Sequence, residues 1–452
     1  MKVHFISIGG AAMHNLALAL HKKGVHVTGS DDEIFEPSRS RLAAAGLLPK
    51  HEGWDASRIT ADLEAVILGM HARADNPELL AAQKLNLRIY SFPEYLFEQT
   101  KQKQRVVIGG SHGKTTITSM ILHVLHSLGS TFDYLVGAQI EGFETMVGLS
   151  DNSETAVFEG DEYLSSALDR RPKFHLYRPH IGVISGIAWD HANVFPSPDV
   201  YARQFRLFVE SFEKGGQLIF FGEDPELSAI AASARDDLGK TSYETHPYEV
   251  RDGQFHLLTG SESIPLQIFG KHNMQNLSAA KAVCLQLGVS ADDFYACIRS
   301  FKGAARRLQT LSKVRNTCVF LDFAHSPSKV AATTAAVKEL FPHRRLVACL
   351  ELHTFSSLSP DFIREYRSTL DFADEPIVFV DPEAVQQKRL PPLSKAQIQE
   401  AFANQNLLVF SDKDELLLHL SIQSWDDSNL LLMSSGSFSG VDVKSLAQQL
   451  VT

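Results

Sequence analysis

The stretch Arg105-Val106-Val107-Ile108-Gly109-Gly110-Ser111-His112-Gly113-Lys114-Thr115-Thr116 decides how the rest of the chain is read. Val106-Val107-Ile108 is short, apolar and β-branched, and from Ile117 to Leu128 apolar residues recur at helical spacing, so the order is strand, glycine turn, helix. A turn of this kind is a phosphate-binding loop. The backbone N–H groups of Gly110 to Gly113 and the helix N-terminus at Thr115 and Thr116 point at an anion. Lys114 supplies a point charge for the β/γ-phosphates, and the Thr115 hydroxyl is placed to ligate Mg²⁺. The spacing departs from the usual motif, because Ile108 stands where its first glycine belongs and glycine comes only at 109 and 110. A Gly-Lys-Thr between a strand and a helix is nevertheless far rarer than the bare tripeptide, so nucleotide binding outweighs a structural turn.

The 452 residues suggest about three domains. A net charge of −10 gives nucleic acid or an anionic membrane no basic face to bind, so neither is expected as a partner. The four cysteines, Cys284, Cys297, Cys318 and Cys349, contain no CxxC pair, and three sit in apolar surroundings typical of buried free thiols, which suits a reducing cytoplasm. Gly9-Gly10, His14 and Asn15 interrupt the apolar run at the N-terminus, and no run reaches the roughly 18 apolar residues of a membrane span. Neither export nor a membrane segment is expected.

Val3 to Ile8, then Gly9-Gly10-Ala11-Ala12 and the helix-like run from Met13, repeat the strand, glycine turn, helix order. A second strand ends in Asp31-Asp32, about 20 residues after the glycines, where a Rossmann-type unit places the acid that meets a ribose. The glycine fingerprint is degraded at Ala12 and His14, so a nucleotide or nucleotide-sugar site at Gly9, Gly10, Ala11, Ala12, Met13 and Asp31 is balanced against plain βαβ packing.

In the middle of the chain, the strand Thr155-Ala156-Val157-Phe158 delivers Glu159-Gly160-Asp161-Glu162 at its C-terminal end, where open α/β sheets bind ligands. Three carboxylates this close repel unless a cation compensates, and beside a phosphate loop Glu159 is read as a Mg²⁺ ligand. A further strand, Ile181 to Ser185, leads to Asp190-His191, expected near metal or phosphate. Asn273 and Asn276 share one face of a helix and suit either a base or a cap. Residues 222 to 265 read as an added small sheet, and Phe301 to Arg307 as a flexible basic joint. Strands at Thr317 to Leu321, Arg345 to Leu350, Pro376 to Val380, Leu407 to Phe410 and Leu430 to Met433 then alternate with helices, as in another Rossmann-like domain. The last runs into Ser434-Ser435-Gly436-Ser437-Phe438-Ser439-Gly440, which suits an anion or a tight turn.

In this order the motifs are specific, and the chain resembles the Mur ligases over nearly its whole length. The elements that carry the resemblance are Gly110-Ser111-His112-Gly113-Lys114-Thr115-Thr116, Asp190-His191, His272-Asn273-x-x-Asn276, Gly303-x-x-Arg306-Arg307 and Asp322-x-Ala324-His325-x-Pro327. The shortened family loop accounts for the glycine missing at 108. Within the family, Glu159 to Tyr163, Asp169 to Phe174 and Tyr177-Arg178-Pro179 are most similar to the branch that joins UDP-N-acetylmuramate to L-alanyl-γ-D-glutamyl-meso-diaminopimelate, with the L-alanine-adding branch as the alternative.

The resemblance implies an α/β chain of three domains. These are an N-terminal Rossmann-like domain over 1–102, a central P-loop ATPase-like domain with parallel and added small sheets over 103–306, and a C-terminal Rossmann-like domain for the amine substrate over 307–452. It implies a cytoplasmic, ADP-forming ligase using ATP and Mg²⁺, monomeric or weakly dimeric, in which a carboxylate becomes an acyl phosphate that an amine then attacks. Lys114, His191 and Arg307 would be catalytic. Thr115, Glu159 and His191 would hold metal, Asn273 and Asn276 the adenine side, and Asp322 and His325 the ribose and phosphates. Asn193 replaces the usual second acid after Asp190-His191, and no lysine occurs from Ala192 to Glu213, so the carbamylated lysine of some branches is absent. A nucleotide-dependent switch would account for the phosphate loop alone, and a dinucleotide oxidoreductase for the first hundred residues alone.

Overall fold

A computed structural model describes residues 1–70, 72–260 and 262–450. The chain enters through a four-stranded parallel sheet of β1 (Lys2–Ile6), β2 (His26–Ser30), β3 (Ala65–Leu68) and β4 (Ile89–Ser91), in the order β2-β1-β3-β4. β3 is buried at every position, which is why it reads as an unbroken apolar run. Because β1 has β2 on one side and β3 on the other, Gly9-Gly10 leaves it at a switch point, outside the C-terminal ends of the strands.

One polar pair is built into this sheet. His4 and Glu78 are both fully buried, with His4 Nε2 3.2 Å from Glu78 Oε2. Ser30 donates its hydroxyl to the same carboxylate, and the Asp55 N–H donates to Oε1 at 2.9 Å. The helix Pro77–Lys84 makes this possible: the Asn76 side chain accepts from the N–H groups of Glu78 and Leu79, starting the helix with Glu78 in its first turn.

The second sheet contains β5 (Gln104–Gly109), β6 (Phe132–Leu135), β7 (Val147–Gly148), β8 (Thr155–Glu159), β9 (Ile181–Ile184), β10 (Gln217–Phe221) and β11 (Gly239–Tyr243). Its order is β11-β10-β9-β5-β8-β6-β7, with β7 alone antiparallel to its neighbour. β5 lies between β9 and β8, with Ile108 opposite Val183 on one side and Glu159 on the other. Adjacent parallel strands therefore release the glycine loop, Ser185 and Glu159 side by side.

A three-stranded antiparallel sheet follows, of β12 (Tyr248–Arg251), β13 (Gln254–Leu258) and β14 (Ser263–Pro265). It is smaller than the expected 222–265, because the residues before Tyr248 complete the second sheet through β11. That strand is an edge, exposed at Lys240, Thr241 and Ser242, so its polar sequence hides its membership. The last sheet holds β15 (Gln309–Val314), β16 (Thr317–Asp322), β17 (Arg345–Glu351), β18 (Glu375–Phe379), β19 (Leu408–Phe410) and β20 (Ser428–Met433). Its order is β15-β16-β20-β17-β18-β19, parallel except for β15. Val319, Val347, Ile377, Leu430 and Phe438 belong to its core.

The chain packs as two compact units. One contains Met1–Ile187, Ala202–Tyr243 and Ala279–Ala291, and hence the first two sheets; the other contains Ala188–Tyr201, Glu244–Ser278 and the chain from Asp292, and hence the other two. Among the described residues no helix is long and apolar enough to cross a membrane. The expected α/β class, with parallel sheets and one small added sheet, is the one observed.

The buried pair supplies a test of the fold. Glu78→Ala strands the polar partners of the carboxylate and is expected to destabilise the first unit by roughly 3–5 kcal/mol, read as a lower midpoint in urea. Burial pushes the Glu78 pKa up, but His4, the Asp55 N–H and Ser30 together hold it below its ordinary value. The folded value thus lies below the unfolded one, and the stabilisation should be present above about pH 4.3 and fade on acidification through the folded value.

Candidate active site

The helix Lys114–Ser127 begins at Gly113, which has φ 78° and no side-chain cap. No N-cap side chain therefore competes with an anion for this helix start. Upstream, the loop is held by the end of β9. Ser185 donates its backbone N–H to Gly109 O at 3.2 Å and its hydroxyl to His112 O, and Ser111 N–H donates to Gly186 O at 2.9 Å. The contact is close enough to need glycine twice. A Cβ on Gly110, at φ 132°, would lie 2.2 Å from Ser185 Oγ, and one on Gly186, at φ 155°, would lie 2.2 Å from His112 Cε1.

Charge converges on this cradle. Lys114 Nζ donates to Gly110 O at 2.6 Å and to Glu162 Oε2 at 2.5 Å, and Glu162 is fully buried. Burial pulls the Lys114 pKa down, but Glu162, Asp161 and Glu159 push it above its ordinary value, so the lysine is a cation. Thr115 Oγ1 donates to Glu159 Oε1 at 2.9 Å, and Gly137 N–H donates to Glu159 Oε2 at 2.6 Å. Lys173 lies 2.6 Å from Asp161; burial would raise that carboxyl's pKa, but the lysine holds it below its usual value. Backbone donors, a lysine cation and a hydroxyl beside a carboxylate fit a nucleotide phosphate with a hard divalent cation.

In the second unit, Asp190 is buried, accepts from His191 N–H at 2.7 Å, and lies 3.3 Å from Lys329 Nζ and 4.0 Å from His325 Nε2. His191 is left-handed at φ 55°, uncommon for a residue with a Cβ, and the Asp190 carboxylate helps hold it there. Burial and Lys329 push His325 down to about 3, so it is neutral at physiological pH. Asn273 donates to Phe269 O at 2.8 Å and accepts from Asn276 at 3.3 Å, so each amide is partly used inside its helix. Asp322 accepts from Leu308 and Ala324 N–H, while the Arg307 guanidinium lies 4.7 Å from the centre of the Phe323 ring. Arg306 donates to Ser434 O and Gly436 O, and Glu351 accepts from the Ser434 hydroxyl and Phe438 N–H.

In the first unit, the N-terminal loop places Gly10 at the start of the helix Ala11–Lys22, and Asp31 Oδ2 accepts from Gly9 N–H at 2.7 Å. A Cβ on Gly9 would lie 2.9 Å from that oxygen. Burial pushes Asp31 up to about 6.

The structure thus brings Lys114, Thr115 and Glu159 together in the first unit, with Ser111, His112 and Thr116 on the same loop and helix start. His191, Asn273, Asn276, Arg307, Asp322 and His325 belong to the second unit. Sequence reading left Ser185 and Gly186 without a role, although a Ser-Gly directly after a buried strand beside the glycine loop was the available signal. It quoted Glu162 without assigning it, and passed over the ring of His272. The His272 Nδ1 is buried without a hydrogen-bond partner among the described residues, and burial pushes its pKa down to about 4.

This combination of α/β domains and a phosphate loop with charged strand ends defines a nucleotide-using enzyme. Family models cover most of the chain, with the Mur ligase family catalytic domain over residues 2–104, the Mur ligase middle domain over 108–284 and the Mur ligase glutamate ligase domain over 306–436. A UDP-N-acetylmuramate–L-alanine ligase from Arthrobacter sp. (strain FB24) is 31% identical over 91% of this chain and 87% of its own. A UDP-N-acetylmuramate–L-alanyl-gamma-D-glutamyl-meso-2,6-diaminoheptandioate ligase from Haemophilus influenzae is 27% identical over 98% of both. Among solved structures, a murein peptide ligase from Psychrobacter arcticus 273-4 matches with a TM-score of 0.68 at 24% identity, over 100% of this chain and 99% of that one. The chain belongs to the Mur ligase family. It is an ATP-dependent, ADP-forming ligase that uses Mg²⁺.

Two substitutions test this geometry. Gly186→Ala drives a methyl group into the His112 ring and should weaken nucleotide binding, measured by calorimetry, together with a lower thermal midpoint in a chain that still folds; unchanged affinity refutes the clamp. The raised Asp31 pKa means that the folded chain holds a proton the unfolded one has released, so the ionised form lowers stability as pH rises. Asp31→Asn should therefore stabilise the first unit by an amount that grows from about pH 4 to about pH 6 and is level above.

Proposed function

We propose that this ligase joins the muramoyl carboxylate of UDP-N-acetylmuramate to the free amine of L-alanyl-γ-D-glutamyl-meso-diaminopimelate. The observation that carries this reading is the segment after β8. Tyr163 to Lys173 folds back on itself through an antiparallel bridge between Leu164 and Pro172, and Lys173 N–H donates to Tyr163 O at 2.9 Å. This fold-back carries Tyr163 and Asp169 to Lys173, which with Glu159 to Glu162, Phe174 and Tyr177-Arg178-Pro179 are the residues most similar to the tripeptide-adding branch, and the Haemophilus influenzae relative, matched over 98% of both chains, carries that activity in its name. L-Alanine is the second reading, favoured by the Arthrobacter relative, which is the more identical of the two over a shorter stretch.

A carboxylate meeting a triphosphate needs charge neutralisation and alignment more than covalent help. Lys114 would neutralise the β/γ-phosphates, Thr115 and Glu159 would hold Mg²⁺, and His191 would take a second ion. Asn273 and Asn276 would serve the adenine side, Asp322 and His325 the ribose and phosphates, and Arg307 would add positive charge. Gly9 to Met13 and Asp31 hold the UDP moiety, so that domains 1–102, 103–306 and 307–452 receive sugar nucleotide, ATP and amine in turn. ATP supplies the phosphoryl group that makes the carboxylate an acyl phosphate, which the amine then attacks with release of phosphate. The enzyme is assigned to the cytoplasm, as a monomer or weak dimer.

Phosphate release with ATP, Mg²⁺ and UDP-N-acetylmuramate, offered tripeptide, L-alanine or no amine, is expected to be fastest with the tripeptide. Turnover with L-alanine and none with tripeptide would reverse the choice. Lys114→Ala removes charge-assisted hydrogen bonds of roughly 1.5–3 kcal/mol each and should lower kcat by orders of magnitude in a folded protein.

A further inference from the structure

We propose that Glu162 is a positioning residue whose carboxylate competes with the nucleotide phosphate for the Lys114 ammonium and thereby makes nucleotide binding depend on Mg²⁺. The proposal rests on the ATP-using character of the loop and is independent of which amine is ligated. Three carboxylates leave the end of β8, and the structure gives each a different partner. Glu159 accepts from Thr115 Oγ1 and Gly137 N–H, and Asp161 is paired with Lys173. Glu162 is paired with Lys114, the lysine of the phosphate loop.

An ammonium has three N–H donors. In this structure one points at Gly110 O at 2.6 Å and one at Glu162 Oε2 at 2.5 Å. The first contact orients the lysine over its own loop. The second brings a full negative charge, fully buried, to the cation that a phosphate must use. A phosphate approaching Lys114 either displaces Glu162 or shares the ammonium with it. Displacement breaks a short ion pair to a fully buried carboxylate, which is unfavourable. Sharing sets phosphate and carboxylate oxygens around one charge, where like charges repel in a medium that screens poorly.

A divalent cation removes both penalties, because it neutralises the phosphate and offers the carboxylates a replacement for the lysine. Nucleotide without metal should then bind weakly, and nucleotide with metal well. Lys173 keeps Asp161 out of this exchange, since its own positive charge is not needed by the loop. The pair also keeps Lys114 extended toward Gly110, so that the cation is pre-aimed and the ordering entropy of a long side chain is met before the ligand arrives.

The test is calorimetric titration of the full chain with ADP, in EDTA and in MgCl₂, with no sugar nucleotide or amine present. Glu162→Gln keeps the size and loses the charge, and should tighten ADP binding in EDTA by roughly tenfold, within the range usual for coupling between neighbouring sites. The factor by which MgCl₂ tightens binding should shrink correspondingly. Glu162→Asp, which withdraws the carboxylate by one methylene, should move both quantities the same way by less, and a thermal melt of each variant reports its fold. In a Lys114→Met background the gain from Glu162→Gln should largely disappear. Unchanged or weaker ADP binding in EDTA for the two folded Glu162 variants overturns the proposal. So does a gain that persists in full without Lys114, because that outcome reports general repulsion and no competition. Failure of the unmodified chain to bind ADP even with MgCl₂ would overturn the nucleotide assignment of the loop itself, whereas failure of ligation with ADP bound would leave this inference standing and overturn only the substrate reading.

Discussion

The site depends on the contact between the glycine loop and the end of β9. A loop that presents its backbone N–H groups to a phosphate cannot use them to stabilise itself, so its conformation has to be imposed from behind. Here Ser185 and Gly186 do so, taking the carbonyls of Gly109 and His112 and offering Gly186 O to Ser111. The carbonyl side is satisfied by the protein and the Ser111 N–H is spent on Gly186 O, while no side chain caps the helix start, the end offered to the anion. The requirement for glycine at 110 and 186 follows from that approach: a side chain at 110 would run into Ser185, and one at 186 into the His112 ring.

The second constraint is electrostatic. A parallel sheet that places β5 beside β8 sets the cation of the loop next to whatever β8 carries at its end, and it carries three acids. Such a cluster is tolerable only if each carboxylate has its own compensation, and the structure distributes a hydroxyl and an amide N–H, one lysine and a second lysine among them. Strand order therefore does more than bring residues close. It decides which acid is paired with the lysine that the nucleotide needs, and hence which acid is in competition with the ligand.

The strand, turn, helix order around Lys114 and the placement of Glu159 were legible in the sequence because both depend on local pattern: apolar β-branched runs, glycines and a charged residue directly after them. The same holds for β16, β17, β18 and β20 of the last sheet, whose interiors are buried. β6 and β7 were not legible, being short and partly exposed, and neither was β15, an antiparallel edge whose outward residues are polar. Nor could sequence show that Lys114 pairs with Glu162, since 48 residues separate them and the pairing is set by strand order. Asp31 was read as a ribose contact from its spacing; its observed bond to Gly9 N–H adds a structural task that spacing cannot convey.

The small-residue loop after β20 shows what separates an anion site from a loop that merely looks like one. Ser434 to Gly440 has the composition of a phosphate cradle, and it too follows a buried strand. Most of its polar groups are, however, already engaged, the buried Ser435 hydroxyl being the exception among the described residues. Glu351 takes the Phe438 N–H and the Ser434 hydroxyl, the hydroxyl in turn takes Gly436 N–H, and Arg306 holds the carbonyls of Ser434 and Gly436. An internal carboxylate thus sits where a bound anion would, and a Cβ on Gly436 would lie 2.9 Å from it. In the loop before Lys114 the internal carboxylate faces the lysine and leaves the backbone N–H groups of the helix start uncapped. Two glycine- and serine-rich turns at the ends of parallel strands can thus have opposite capacities for an anion, according to whether the nearest buried acid is bonded to the backbone of the turn or to a cation beside it.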